Sequence, residues 1–137
     1  MRYAGDVTPQ EAYAAVTGDG QAVLVDVRTR AEWAYVGIPD LSAAERQVVF
    51  LEWQVYPSGE INADFVEELH RLGLHDGTSL YFLCRSGVRS KAAAEAATAA
   101  GLGPAYNVSD GFEGPQDLAG HRNLAGWRND GLPWKQG

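Results

Sequence analysis

The sequence predicts an α/β domain whose mostly parallel sheet is covered by helices on both faces. Short apolar runs alternate with segments of helical spacing along the chain, the order expected of strands joined by crossover helices. Two of those runs, residues 22–25 and 80–83, are apolar or aromatic at every position, as strands buried on both faces are. The run at 80–83 leads through one short loop into an alanine-rich segment that reads as a helix.

The first helix is expected over residues 9–16. Thr8–Pro9–Gln10–Glu11 is a capping box with proline at the first helical position, and Ala12, Tyr13 and Val16 fall on one face. Gly18–Asp19–Gly20 ends it in a turn, and the strand at 22–25 follows, closing on Asp26–Val27–Arg28. A charged pair at the carboxyl end of a buried strand lies where α/β sheets place their sites. Asp26 and Arg28 read first as an ion pair or loop brace that supports such a site. Thr29–Arg30–Ala31–Glu32 repeats the capping-box pattern and predicts a short helix through Trp33, broken by Gly37 and Pro39. Residues 48–53 read as another strand and Pro57–Ser58–Gly59 as a turn. Asn62 is expected to cap a helix through Leu72 with Phe65, Val66 and Leu69 on one face. After the alanine-rich helix, residues 101–104 are a stop signal, 105–108 a short strand, and 109–114 a turn-rich end to it. From about residue 115 the pattern weakens; Trp127 and Trp134 are expected to anchor this tail on the domain.

The chain has 137 residues, 45% of them hydrophobic and 21% charged, which suits one globular domain spanning 1–137 with the tail at about 115–137 packed on it. Its net charge of −7 argues against nucleic acid or an anionic membrane as partner. No apolar run reaches the length of a membrane helix, and residues 1–6 lack the apolar core of a signal peptide. One cysteine forms no internal disulfide and has no second cysteine with which to share a metal. The expected compartment is the cytoplasm, and no metal or organic cofactor is expected.

That cysteine is the centre of the chain. Cys84–Arg85–Ser86–Gly87–Val88–Arg89–Ser90 joins the central strand to the alanine-rich helix, which is expected to begin after Ser90. A strand that ends in a loop feeding a helix N-terminus turns several backbone N–H groups towards one point, and the helix dipole adds positive potential there. Gly87 permits the left-handed turn that makes them converge. Arg85 and Arg89 add charge that a purely apolar setting would not tolerate. A lone cysteine at a strand end is otherwise a small buried hydrophobe; these neighbours make Cys84 an activated nucleophile held as its thiolate in an anion cradle.

The chain resembles single-domain rhodanese-like sulfurtransferases along nearly its whole length. The matching pieces are Val25–Asp26–Val27–Arg28, Glu32–Trp33, the loop from Cys84 to Ser90, and Asp110–Gly111–Phe112, in that order. The resemblance implies a five-stranded parallel sheet with helices on both sides. It implies a persulfide on Cys84, with loop N–H groups and side chains from Arg85 to Ser90 holding the transferred sulfur. One departure is visible: members often carry Gly-His-Ile where this chain has Gly37–Ile38–Pro39, which removes a histidine there and leaves the loop untouched. The expected chemistry is transfer of a sulfane sulfur from an anionic donor such as thiosulfate to cyanide, a thiol or a protein sulfur acceptor, with Arg85 or Arg89 neutralising the donor. His70, His75 and His121 sit in helix-surface, loop and tail contexts and are not needed as bases.

Other readings compete. A cysteine phosphatase or arsenate reductase also holds an oxyanion in a loop after a strand, but those loops carry arginine six positions after the cysteine. Here that position is Ser90 and Arg89 comes one earlier, a smaller cradle that suits one sulfur atom better than a tetrahedral phosphate. A non-catalytic binding module does not need the intact cysteine and both arginines, and a purely structural domain leaves their charge without purpose.

Overall fold

Five strands, all parallel, form the sheet in this computed structural model, which describes residues 3–74 and 76–136. In chain order the elements are β1 (Gly5–Val7), α1 (Pro9–Gly18), β2 (Ala22–Asp26), α2 (Arg30–Tyr35), β3 (Ile38–Pro39), a 3-10 turn at Ser42–Ala44, β4 (Val49–Phe50), α3 (Phe65–Arg71), β5 (Asp76–Leu83), α4 (Val88–Ala99), β6 (Gly103–Val108) and β7 (Trp134–Lys135). The sheet order is β1-β6-β5-β2-β4, and β3 pairs with β7 in a separate antiparallel ribbon. The α/β class, the parallel five-stranded sheet and the helices on both faces are as the sequence and its resemblance implied.

Alternation along the strands divides the core into two layers. Val25, Phe82 and Ala105 point to one side, where they meet Phe65 and Leu69 of α3 and Ala93, Ala94 and Ala97 of α4. Leu24, Leu83 and Val108 point to the other, against Ala12 and Val16 of α1 and against Phe112 and Trp127. Small alanines on α4 let that helix lie close over β5 and β6, which keeps the loop before it short.

Local signals landed where short-range hydrogen bonds close on themselves. Thr8 and Glu11 make the reciprocal cap of α1, at 3.1 and 2.9 Å, and Thr29 and Glu32 that of α2, at 3.3 and 3.1 Å. Other expectations are corrected. The helix expected from Asn62 begins at Phe65 with Asp64 as its cap. Asn62 closes a turn instead, accepting from the Asp64 N–H at 3.1 Å while donating to the Glu52 carbonyl at 3.0 Å. The strand expected over 48–53 shrinks to Val49–Phe50, the two residues in register with Val25 and Asp26, while Leu51 and Trp53 continue only through single hydrogen bonds to the Asp26 and Val27 carbonyls at 3.1 Å. The short strand at 5–7 is an edge strand recognised only by pairing with β6.

The tail is held on the α1 face. Trp127 is fully buried, meets Tyr13 edge-on at 5.6 Å, and donates its indole N–H to the Pro133 carbonyl at 2.7 Å. Trp134, in contrast, is 39% exposed. Its ring covers Gly37, where φ is +122° and an added Cβ would lie 2.8 Å from the ring, too close for a side chain. The family departure at Gly37–Ile38–Pro39 is thus the place where the tail strand pairs with the domain. No helix among the described residues is long and apolar enough to cross a membrane.

Candidate active site

Cys84 follows the last residue of β5 and is 1% exposed. Its Sγ accepts a hydrogen bond from the Gly87 N–H at 3.1 Å and lies 3.2 Å from the Ser90 hydroxyl. Gly87 caps α4 with φ +102°, and a Cβ there would run into the Ser109 carbonyl, so no other residue allows the turn. The helix starts at Val88, three residues before the expected start after Ser90. Val88, Arg89 and Ser90 therefore form its first turn, where the helix N-terminal potential acts most directly. This places Ser90 inward, fully buried, and Val88 outward, 77% exposed.

The pocket over the sulfur has a volume of about 290 Å³ and is lined by Gln54, Cys84, Arg85, Ser86, Val88 and Arg89. A larger hollow of about 480 Å³ lies between the 3-10 turn region and Lys135, away from the cysteine. The two loop arginines differ. Arg85 is exposed at the rim and makes no ion pair among the described residues. Arg89 binds Glu32 of α2 through two hydrogen bonds, at 2.7 and 2.9 Å. Burial pushes the Glu32 carboxyl up, but the hydrogen bonds and charge of Arg89, with the Thr29 N–H and hydroxyl, outweigh it and lower it to about 2. The same hydrogen bond to Glu32, against the cost of burial, raises Arg89 and keeps it charged. Its charge is thus tied to Glu32 at the first turn of α4, while Arg85 stands on the pocket rim without an ion-pair partner among the described residues.

Asp26 and Arg28 lie beneath the loop, both fully buried, in a bidentate pair with Nη2–Oδ2 at 2.7 Å and Nε–Oδ1 at 3.0 Å. Arg28 also donates to the Gly37 carbonyl at 2.8 Å, and its guanidinium lies 4.2 Å from the Phe112 ring centre. Its Nη1 has no hydrogen-bond partner, so the aromatic face is what it meets on that side. The pair braces the site without reaching the pocket, and deleting one member would strand a buried charge at a cost of about 3–5 kcal/mol. Phe112 continues the brace: its N–H donates to the Cys84 carbonyl at 2.8 Å, and the N–H groups of Glu113 and Gly114 donate to the Arg85 carbonyl at 3.0 and 3.1 Å. The four sequence pieces that carried the resemblance are therefore in contact around one sulfur.

Three residues at or behind the site were not singled out for it from the sequence. Glu32 was visible as a helix cap and as part of the Glu32–Trp33 match, but not as the partner of Arg89. Asn107, 4% exposed, is the one polar side chain in the strand expected at 105–108, and that interruption was a usable signal. Gln54 lies in an irregular stretch with no signal. His70 and His121 are exposed and do not line the pocket; His75 lies outside the described residues. Among the described residues no group of three or more His, Cys, Asp or Glu is placed to hold a metal ion.

Residues 4–137 match the family described as the STR4 middle domain. The chain is 38% identical over 132 residues to an uncharacterized protein of Rickettsia conorii, covering 95% of this chain and 96% of that one. Its structure resembles the crystal structure of Rv0390 from M. tuberculosis with a TM-score of 0.90 and 52% identity, over 99% of this chain and 100% of the other. A rhodanese-like domain protein from Staphylococcus aureus shares the fold at a TM-score of 0.61 and 21% identity, over 96% and 99% of the two chains.

Proposed function

The chain belongs to the STR4 middle domain family and has the rhodanese-like fold, and from that premise we propose that it is a sulfurtransferase working through a persulfide on Cys84. The observation that carries this reading is the position of the Cys84 sulfur: it lies at the base of a small pocket with an amide donor beneath it and one open cation, Arg85, at the rim. In the first step the Cys84 thiolate attacks the outer sulfur of a donor such as thiosulfate. The new S–S bond forms as the old one breaks, sulfite leaves with the bonding electron pair, and the enzyme keeps a persulfide anion. In the second step cyanide, a small thiol or a cysteine of an acceptor protein attacks the outer sulfur and the Cys84 thiolate is restored. No outside oxidant or reductant enters, and splitting the transfer in two makes the kinetics ping-pong.

The residues have separate roles in this reading. Cys84 is the nucleophile and Arg85 meets the anionic donor. The backbone of Ser86, Gly87 and Val88 shapes the cradle, Ser90 touches the sulfur, and Arg89 locks the helix start through Glu32. Asp26 and Arg28 hold the loop from below. A nucleophilic cysteine with no disulfide partner fits a reducing compartment, the cytoplasm. Intact-mass spectrometry after thiosulfate treatment tests the proposal. A gain of one sulfur, removed by reductant and absent in Cys84→Ser, is the expected result. An unchanged mass, with phosphate or arsenate protecting Cys84 from alkylation, would point to the oxyanion chemistry of a phosphatase instead.

A further inference from the structure

A line of side-chain hydrogen bonds runs from the sulfur across two strands to the sheet edge. The Ser90 hydroxyl lies 3.2 Å from Cys84 Sγ and 2.5 Å from Asn107 Oδ1 on β6. The other end of that amide, Nδ2, donates to Asp6 Oδ1 on β1 at 3.0 Å, and Asp6 also accepts from the Tyr3 hydroxyl at 2.8 Å. Ser90 and Asn107 are buried, whereas Asp6 is exposed.

Proton counting gives this line a direction. An ionised carboxylate only accepts, so Asp6 fixes Asn107 with its NH₂ outward and its carbonyl oxygen towards Ser90. That oxygen is also acceptor-only, and a hydroxyl carries one proton. At 2.5 Å the proton lies on the Asn107 side, which leaves a Ser90 lone pair facing the sulfur. A lone pair accepts from a thiol S–H and repels a thiolate. For Ser90 to stabilise the thiolate it must turn its O–H to sulfur and leave the buried Asn107 carbonyl without its donor.

We infer that Asn107 and Asp6 are positioning residues that hold the Ser90 hydroxyl proton away from Cys84 and so restrain the nucleophile in its thiol form. The inference rests on Cys84 as the reacting group. It runs opposite to the remaining surroundings of the sulfur: Arg85 and Arg89, the Gly87 amide and the α4 N-terminus favour the anion, while Glu32 offsets the charge of Arg89 and the Asp26–Arg28 pair is neutral as a whole. Resting sulfur is then kept from indiscriminate reaction, and the thiol proton passes to solvent at the pocket mouth before the thiolate attacks the outer sulfur of the donor.

The test is the pH profile of Cys84 alkylation by iodoacetamide, which reads thiolate whether or not sulfur is ever transferred. Asn107→Leu removes the competing acceptor, so its profile should move towards acid and its rate at neutral pH should rise about three- to tenfold, the worth of one hydrogen bond to an anion. Asp6→Asn, on the exposed edge, frees the Asn107 amide to turn and should give a smaller shift the same way without threatening the fold. Losing the Asp6 charge alone would also favour the thiolate, so both changes are repeated in Ser90→Ala. There the relay has no hydroxyl, and the gain should vanish, whereas a purely Coulombic gain would persist. An unchanged or slower Asn107→Leu with native thermal stability overturns the inference, as does an acid shift that survives in Ser90→Ala. If Asn107→Leu is destabilised, Asp6→Asn with and without Ser90→Ala decides alone. Wild-type protein that never gains a sulfur from thiosulfate would remove the sulfurtransferase reading while leaving the alkylation result to stand.

Discussion

Glu32 and Arg89 stand 57 residues apart in the chain and meet in a two-point ion pair, at 2.7 and 2.9 Å, that ties α2 to the first turn of α4 beside Cys84. One carboxylate thus caps its own helix and fixes the start of another. The arginine that the sequence offered as a second anion receptor is spent on this contact. A loop arginine tied in this way gives the cradle a set shape, and an untied one gives it an open charge.

Glu32→Gln should lower stability by about 1–2 kcal/mol at neutral pH, since it removes a charged acceptor from a half-buried arginine. The Glu32 carboxyl is lowered in the folded state from 4.5 to about 2, so its contribution is complete above the unfolded value and disappears as pH falls through the folded one. Thermal melts of both proteins across acid pH check this. The gap between them should narrow as the pH falls from about 4.5 towards about 2; a constant gap would show that the ion pair is not its source.

Cys84→Ser should abolish sulfur transfer from thiosulfate to cyanide while leaving the melting temperature near that of the wild type. Serine fits the same space, but its oxygen forms no persulfide. Substantial residual turnover would sink the covalent mechanism.

Arg85→Ala should raise KM for thiosulfate about five- to twentyfold, the loss expected of one charge-assisted contact at a wet rim. Arg85→Lys should recover part of it, and added salt should shrink the difference. Stability should hardly change, because the side chain has no ion-pair partner among the described residues. Equal KM values for wild type and Arg85→Ala would remove this arginine from donor binding.

Inserting one glycine between Gly87 and Val88 should lower sulfur transfer and let phosphate or arsenate begin to inhibit. The insertion moves the arginine to six positions after Cys84 and widens a ring whose donors must sit about 2.7–3.1 Å from the atom they stabilise. Turnover and phosphate inhibition measured side by side on both loop lengths decide it. If neither changes, loop size does not select the chemistry.

The parts of this protein legible from its residues are those closed by short-range forces. Thr8 with Glu11 and Thr29 with Glu32 satisfy one another within one helical turn, so their caps need nothing from elsewhere. The all-apolar strands at 22–25 and 80–83 announce burial on both faces, hence a covered parallel sheet. The order Cys84 to Ser90 between strand and helix marks the candidate site because sterics allow such a loop few shapes. What the residues could not supply was anything decided by register between distant strands. Ser90 meets Asn107, and Asn107 meets Asp6, only because β6 lies between β5 and β1. Glu32 reaches Arg89 only because the short helix after β2 lies beside the start of the helix after β5. The tail strand is invisible until Gly37 and Trp134 are packed together. A charge has many possible partners along a chain, and the fold chooses among them by bringing two elements within about 3 Å, the distance at which a hydrogen bond forms. The residues determined that a cysteine loop lies between a buried strand and a helix; the tertiary structure determined which groups touch its sulfur and which of its arginines is tied in an ion pair.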